Sequence, residues 1–420
     1  MNEIPLITRL VIKNYRSLLD VDVALTPLTV LVGKNGVGKS NVINVLHFVR
    51  DGLMYGFDKA VTAHGGMSSL LCWFVDESEH IRIELCLDGA SWSGEYAFSF
   101  GASKKNGCEI TSERLTYKEK NRDKHLSVSN GNGCEQAASS LDNLGKSASP
   151  LFEVLDGKLI RLPELIERVR QSNPNASHRS LTVSKSAFYL SEVAAISPPA
   201  KRVRDFLVNM SFYDLSPAFV RTPQKATLPM PLLENGSNLA TVLLEIQKGK
   251  KDYLITQALK VAVEGIEGYS ILPVGQHLVT KLHYRFLNGK VREVISDLSD
   301  EASGTIRILA TLAALYQQRF PSLLSIEEAE KEIHPDALEL LGDMLEVATD
   351  SYQVIITTHS PDLITYLPAD SLRVVDKVAG LTKIAPISKE QYDTIAENIF
   401  SAGGLMRLEG LERKEEPILE

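Results

Sequence analysis

Three short runs of consecutive apolar residues stand out along the chain: Leu28-Thr29-Val30-Leu31-Val32, Leu323-Leu324-Ser325-Ile326 and Val354-Ile355-Ile356-Thr357-Thr358. Runs without polar alternation read as strands buried on both faces, as in a parallel sheet covered by helices. Elsewhere the period is two. Ile81 to Leu85 and Tyr96 to Phe100 alternate within a region of antiparallel character from about 65 to 120. Alternation returns from Ser270 to Ile295, where Asn288-Gly289 marks a hairpin turn. A helical period groups Val42, Ile43, Val45, Leu46 and Val49, and recurs over Leu151 to Arg170, Ser191 to Val208, Leu239 to Ile246, Tyr253 to Val263 and Glu390 to Phe400. These helices are too short and interrupted for the sustained heptads of a long coiled-coil arm. Residues 101 to 148, rich in Ser, Asn, Lys and Gly, read as a loop or hairpin, and Arg407 to Glu420 as a charged tail.

The second apolar run ends abruptly in two acids, Glu327 and Glu328. Strand ends are where α/β folds build their sites, and two adjacent carboxylates there point to opposite sides of the strand. One can support a magnesium ion while the other polarises a water for attack. Acids also sit at strand ends simply because they are solvated there, so the pair needs support from elsewhere. That support is Gly33-Lys34-Asn35-Gly36-Val37-Gly38-Lys39-Ser40, which fits G-x-x-x-x-G-K-[ST] between a strand and a helix. Its glycines let backbone N–H groups converge on phosphate oxygens, and the helix N-terminus adds a favourable dipole. Lys39 is expected to reach the β- and γ-phosphates, Ser40 to place its hydroxyl on Mg²⁺, and Asn41 to open the helix behind them. The third apolar run ends in His359, placed to contact a γ-phosphate or to orient the attacking water.

A P-loop, a double glutamate and a histidine in this order resemble the ABC-type ATPase heads of the RecF, SMC and OLD lineage, in particular stand-alone bacterial "AAA family ATPases" with an Ile-Glu-Glu-Pro-Glu segment. Ile7 to Leu18 is similar to their first strand and its Asn-aromatic-Arg-Ser turn, here Asn14-Tyr15-Arg16-Ser17. Ile326 to Pro335 matches the segment carrying the two glutamates, with Ala329 in place of the usual Pro, and Thr357 to Pro361 matches the histidine loop. Tyr213-Asp214-Leu215 and Asn235 to Leu239 resemble a middle segment of the same proteins. The likeness covers about the first sixty residues and those from roughly 265 to 376. It implies an α/β fold: a P-loop ABC-type ATPase head with an antiparallel β lobe and an inserted, mostly helical lobe. The head is expected over 1–64 and 265–385, the insert over 65–264, and a helical appendage or tail over 386–420.

The resemblance also implies ATP and Mg²⁺ as cofactors, Glu327 and Ser40 at the metal, and Glu328 and His359 as the base and the γ-phosphate residue. In this lineage a second head completes each site in trans, so a homodimer or higher homo-oligomer is expected. The segment Leu298 to Leu309 resembles that signature, with Ser303, Gly304 and Thr305 at its helix start. Many relatives carry a serine two places before the signature glycine, where this chain has Ala302. Transporter-like relatives also carry a loop glutamine, yet no glutamine lies between Ser40 and Gln136; a polar group near His64 to Ser69 takes its place, or hydrolysis is slow. The implied role is bacterial defence against phage or DNA repair, with a separately encoded effector such as a nuclease or toxin; a non-catalytic scaffold that sequesters such a partner is the alternative. OLD-type relatives fuse a Toprim nuclease after the histidine loop, and the 44 residues beyond Asp376 are too few for one.

Composition narrows this picture in three ways. No uninterrupted apolar stretch of about 18 residues and no leader-like N-terminus occur, so a cytoplasmic protein without a membrane partner is expected. Cys72, Cys86, Cys108 and Cys134 are spaced as free thiols rather than as a zinc site. The net charge of −8 argues against coating of nucleic acid over the whole surface, while DNA could still meet local basic patches at Lys104, Lys118 to Lys124, Lys158 to Arg170, Arg179 to Lys185 and Lys201 to Arg204. Each patch is interleaved with acids or polar residues and reads first as solvated surface. Asp20-Val21-Asp22 imitates a metal-binding D-x-D but has the period of a solvated strand face.

Overall fold

The computed structural model describes residues 4–103, 107–120, 150–155, 158–161, 184–249, 251–287 and 291–414. The chain divides into two compact units, one of residues 1–25, 44–209 and 378–383, the other of 26–43, 210–377 and 384–420. These bounds cut the chain elsewhere than at 64, 264 and 385.

In the first unit a seven-stranded sheet runs in the order Leu18–Ala24, Leu6–Tyr15, Ile81–Asp88, Trp92–Ser103, Gly107–Glu119, Pro150–Leu155, Lys158–Arg161. Every pairing is antiparallel, with Leu10 opposite Val23 on one side and Leu85 on the other. Period-two alternation places Leu10, Ile12, Ile83 and Leu85 in the core. Phe98 and Phe100 from this sheet pack with Phe48, Phe57 and Phe188 in a cluster of edge-to-face and stacked rings. Asp20 and Asp22 sit on the outer strand, facing Lys13 and Arg9 across the ladder, as the solvated-face reading expects.

Gly107–Glu119 is a thirteen-residue strand paired antiparallel with Trp92–Ser103, with Ile110 and Leu115 buried. It lies inside the stretch to about 120 where antiparallel strands are expected, and from 101 the hairpin alternative holds. One expectation fails in this unit. The helix expected from Leu151 is strand over Pro150–Leu155 and Lys158–Arg161: Phe152 and Val154 alternate into the core, and pairing with Gly107–Glu119 overrides the helical spacing. Residues 162–170 of that expected helix, and 121–148 of the expected loop, lie outside the described residues.

The second unit holds five strands running parallel in the order Leu372–Val378, Leu28–Val32, Gln353–Thr358, Leu323–Ile326, Ser211–Tyr213. The three apolar runs are its three central strands, and every residue of each is buried. Helix Ser303–Tyr316 is buried from Ile306 to Leu315, as a helix apolar on nearly every face requires, with Arg307 and Thr311 the polar residues in that stretch. An antiparallel sheet of Gln224–Lys225, His277–Leu287, Ile266–Val274 and Val291–Asp297 lies in the same unit. Asn288-Gly289 falls outside the described residues, and the strands that flank it pair antiparallel.

The C-terminal pattern ends earlier than its spacing suggests. Helix Lys389–Ala396 stops where Asn398 takes a left-handed φ of 57°, a common helix terminator. A further helix, Ala402–Leu408, follows, capped by Ser401, and takes in Arg407 at the start of the charged end.

Candidate functional site

The strand Leu28–Val32 delivers the chain into the P-loop, and the helix Lys39–Tyr55 leaves it. Between them Gly38 adopts φ 109°, a conformation closed to side-chain-bearing residues, so the loop can turn its N–H groups inward. Lys34, Asn35 and Gly36 are exposed, and Gly33 and Val37 half-buried. The helix begins at Lys39 rather than at Asn41, whose N–H donates to the Gly38 carbonyl at 3.1 Å. Lys39 is buried and donates its ammonium to the carbonyls of Gly33 at 2.6 Å and Lys34 at 2.9 Å. Burial lowers its pKa, against the opposing fields of Glu328, Glu330 and Glu327.

The acid pair lies at the same place. Ser40 Oγ donates to Glu327 Oε2 at 2.5 Å, joining positions 287 residues apart in sequence. Glu327 leaves strand Leu323–Ile326 with its N–H on the Tyr213 carbonyl of the neighbouring strand. Glu328 then turns into a left-handed conformation, φ 47°, held by its N–H donating to Thr357 Oγ1 at 2.9 Å. For a non-glycine residue that backbone is strained, and such strain collects at functional sites. The Glu328 carboxylate is half-buried and paired with Lys331 at 3.3 Å.

His359 follows strand Gln353–Thr358 with a side chain 45% exposed, and its Nδ1 lies 3.2 Å from Glu330 Oε1. The same oxygen accepts the His359 backbone N–H at 3.0 Å. Glu330 is buried, and its other carboxylate oxygen has no hydrogen-bond partner among the described residues. Arg307, nearly inaccessible on the buried helix, donates to the carbonyls of Leu215 at 2.7 Å, Glu327 at 3.3 Å and Glu328 at 3.2 Å. Neither Glu330 nor Arg307 was singled out in the sequence. The available signal for Arg307 was a charged residue inside Ile306-Arg307-Ile308-Leu309-Ala310, where only a satisfied guanidinium can be buried.

The expected signature residues are engaged within their own chain. Ser303 Oγ accepts from Arg221 Nη2 at 3.1 Å, and a Cβ on Gly304 would stand 2.4 Å from the Glu332 carbonyl. Glycine at 304 is therefore required by the backbone that follows the acid pair. Thr305 is half-buried.

In the first unit, His64 directs one ring nitrogen to Asn44 Oδ1 and the other to Asp51 Oδ2, each at 3.0 Å. His47 and Arg50 converge on the same Asp51. Burial would raise the Asp51 pKa, but the bond from His64 and the charge of Arg50 outweigh it and hold the carboxyl below its usual range. The ligand atoms of His47, Asp51 and His64 lie within 4.8 Å of one another, close enough to share a metal, yet the carboxylate already serves as the hub of a hydrogen-bonded network. Of the basic patches, Lys201 to Arg204 is partly neutralised: Arg202 bonds Tyr117 and pairs with Glu119, and Arg204 pairs with Asp205. Lys104, 121–124, 162–170 and 179–183 lie outside the described residues. Cys72, Cys86 and Cys108 are free and buried. Among the described residues no helix is long and apolar enough to cross a membrane.

Comparison with known proteins adds sequence and structural likenesses. Solved structures similar to the chain include the Smc head domain with an extended coiled coil bound to the C-terminal domain of ScpA from Pyrococcus furiosus, at 14% identity and TM-score 0.46, covering 94% of this chain and 99% of that one. The SMC head domain from Thermotoga maritima is similar at 12% identity and TM-score 0.41, over 91% of this chain and 99% of that one. No curated protein matches the chain. The family described as "AAA ATPase domain" matches residues 6–153, and the one described as "AAA domain, putative AbiEii toxin, Type IV TA system" matches residues 163–365. Through these two matches, which together take in the P-loop, the acid pair and His359, the chain is identified as an AAA-family ATPase domain protein.

Proposed function

We propose that the chain is an ATP-hydrolysing switch that dimerises on nucleotide. The observation that carries this reading is the bond between Ser40 and Glu327, which places the acid pair against the P-loop. A hydroxyl and a carboxylate sharing one point are the hard oxygen donors that magnesium takes, and the ion would neutralise charge on the β- and γ-phosphates. Lys39 leaves the loop carbonyls to bind phosphate, and the N–H groups of residues 33–40 cradle the oxygens. Glu328 accepts a proton from the attacking water, its direction fixed by the turn at Thr357, while His359 lies at the end of the adjoining strand. Because phosphoryl transfer depends on positioning and charge, Glu328→Gln should cut turnover by about 10²–10⁴-fold and leave ATP bound. A Glu328→Gln variant that turns over as fast as the parent sinks the assignment.

The division into a head of 1–64 and 265–385, an insert of 65–264 and an appendage of 386–420 belongs to this proposal, as do Ser303 to Thr305 as groups offered to a partner's nucleotide. So do a role in phage defence or DNA repair and a separately encoded nuclease or toxin as effector, with DNA as a possible ligand. The description of the family matched over 163–365 as a putative toxin of a toxin–antitoxin system supports a defence setting. Co-purification of such an effector with the ATP-trapped variant, and its absence with the nucleotide-free protein, tests it.

A scaffold that binds ATP without hydrolysing it is the second reading. It is favoured by two pairings that occupy groups the reaction needs, Glu328 with Lys331 and Ser303 with Arg221. Turnover at background with ATP held tightly would decide for it.

A further inference from the structure

Glu330 is a buried carboxylate that the roles above leave unused. A charge out of water is costly unless paired. Here one oxygen, Oε1, receives both the backbone N–H of His359 at 3.0 Å and the approach of His359 Nδ1 at 3.2 Å, and the other receives nothing among the described residues. Its position is fixed from the strand side, since the Ala329 N–H bonds the Thr357 carbonyl, two residues before His359. A carboxylate oxygen can only accept. Facing it, Nδ1 must carry a hydrogen, and in the neutral ring that leaves Nε2 as the lone-pair nitrogen.

We propose that Glu330 is a positioning residue for His359: it fixes the Nδ1–H tautomer, so that Nε2 is the working nitrogen and accepts a hydrogen bond from the attacking water. This differs from a histidine that donates Nε2–H to a γ-phosphate oxygen, the arrangement available when nothing claims the Nδ1 proton. It also gives the two acids distinct tasks, since Glu328 faces the water directly and Glu330 acts only through the imidazole. The kinetic consequence rests on the ATPase reading, whereas the tautomer does not.

The test uses the full chain with ¹⁵N-labelled histidine. Glu330→Gln keeps an acceptor oxygen for both donors, and Glu330→Met fills the same volume without one. Loss of the His359 signal in His359→Asn assigns it. In the parent and in Glu330→Gln, Nδ1 should be protonated and Nε2 free; in Glu330→Met the ring should revert to Nε2–H. With Mg–ATP, Glu330→Met should lose roughly 10–100-fold in kcat, the range for groups that orient a histidine from behind, with ATP affinity within about twofold and Glu330→Gln close to the parent. An Nε2–H ring in the parent, or the same tautomer in Glu330→Met, overturns the proposal. So does a Glu330→Gln variant as slow as Glu330→Met, which would assign the effect to charge. If the parent hydrolyses no ATP, the ATPase reading falls while the spectra still decide the role of Glu330.

Discussion

Each unit of the chain buries a glutamate beside a backbone turn, and the two are treated differently. Glu113, in the seven-stranded unit, is 1% exposed and accepts from three donors: Tyr96 Oη at 2.9 Å, the Leu190 N–H at 2.8 Å and the Tyr189 N–H at 2.7 Å. Both of its oxygens are used, and the donors belong to a sheet and to the start of helix Tyr189–Val193. Glu330, in the parallel unit, spends one oxygen on His359 and leaves the other unpartnered among the described residues. A fully satisfied buried acid ties two elements together. A half-satisfied one at the end of a parallel strand, beside a half-exposed histidine and a strained Glu328, is arranged around something other than stability.

The sharpest test of that contrast lies in the parallel unit. Glu328→Gln should raise the barrier to ATP hydrolysis by about 3–5 kcal/mol, read as turnover, while shifting the melting transition little because the side chain is only half-buried. A large loss of stability with unchanged turnover would reverse the comparison, making the acid pair structural.

Glu113 should show the opposite pattern. Burial pushes its carboxyl up from 4.5 to about 7, despite the three donors that favour the charged form. The folded state therefore binds the proton more tightly than the unfolded chain. Its contribution to stability is complete below about pH 4.5 and is lost as pH rises through about 7, on the order of 3 kcal/mol across that window. Chemical denaturation at pH 5 and pH 8, compared between the parent and Glu113→Gln, isolates this share. Identical pH dependence in both proteins would refute it, and ATP turnover at fixed pH should be unaffected.

Arg307 bridges the two kinds of role. Its guanidinium serves the carbonyls of Leu215, Glu327 and Glu328 from inside an apolar helix. Burial lowers its pKa, opposed by the fields of Asp214, Glu332, Glu328 and Glu330. Arg307→Met should cost about 2–3 kcal/mol of stability, since buried carbonyls lose their donors, and should also slow turnover because the backbone of Glu328 is no longer held. A variant that loses stability yet keeps full turnover would show that Glu328 is aimed by Thr357 alone.

The legible part of the molecule was the part where one physical demand dominates. Strands covered on both faces must be apolar throughout, so Leu28–Val32, Leu323–Ile326 and Gln353–Thr358 announced a parallel sheet, and the motif Gly33 to Ser40 announced its loop. Pro150–Leu155 is ambiguous in sequence because Leu151, Phe152, Val154 and Leu155 fit either period, and only the partner strand Gly107–Glu119 decides between them. The roles of Glu330 and Arg307 are hidden from the sequence for a different reason. A buried charge is identified by what it touches, and His359 lies 29 residues from Glu330, while Leu215 lies 92 from Arg307. Asn398 ended a helix through a left-handed φ that spacing alone does not encode.

The smallest expected effect tests the reading of Asp20-Val21-Asp22. Asp22 meets Arg9, and Asp20 meets Lys13 at 3.5 Å, across the outer pair of strands, with all four side chains substantially exposed. Exposed pairs are screened by solvent and salt and contribute roughly 0–1 kcal/mol. The carboxylates are also already engaged by cations of their own sheet, which leaves them poor ligands for a divalent ion. Asp22→Asn should therefore shift stability by less than about 0.5 kcal/mol, fading further at high salt, and should leave both ATP turnover and its magnesium dependence unchanged. A change in the magnesium requirement would move the metal chemistry away from Ser40 and Glu327 to the opposite unit, and with it the division between a structural and a chemical half.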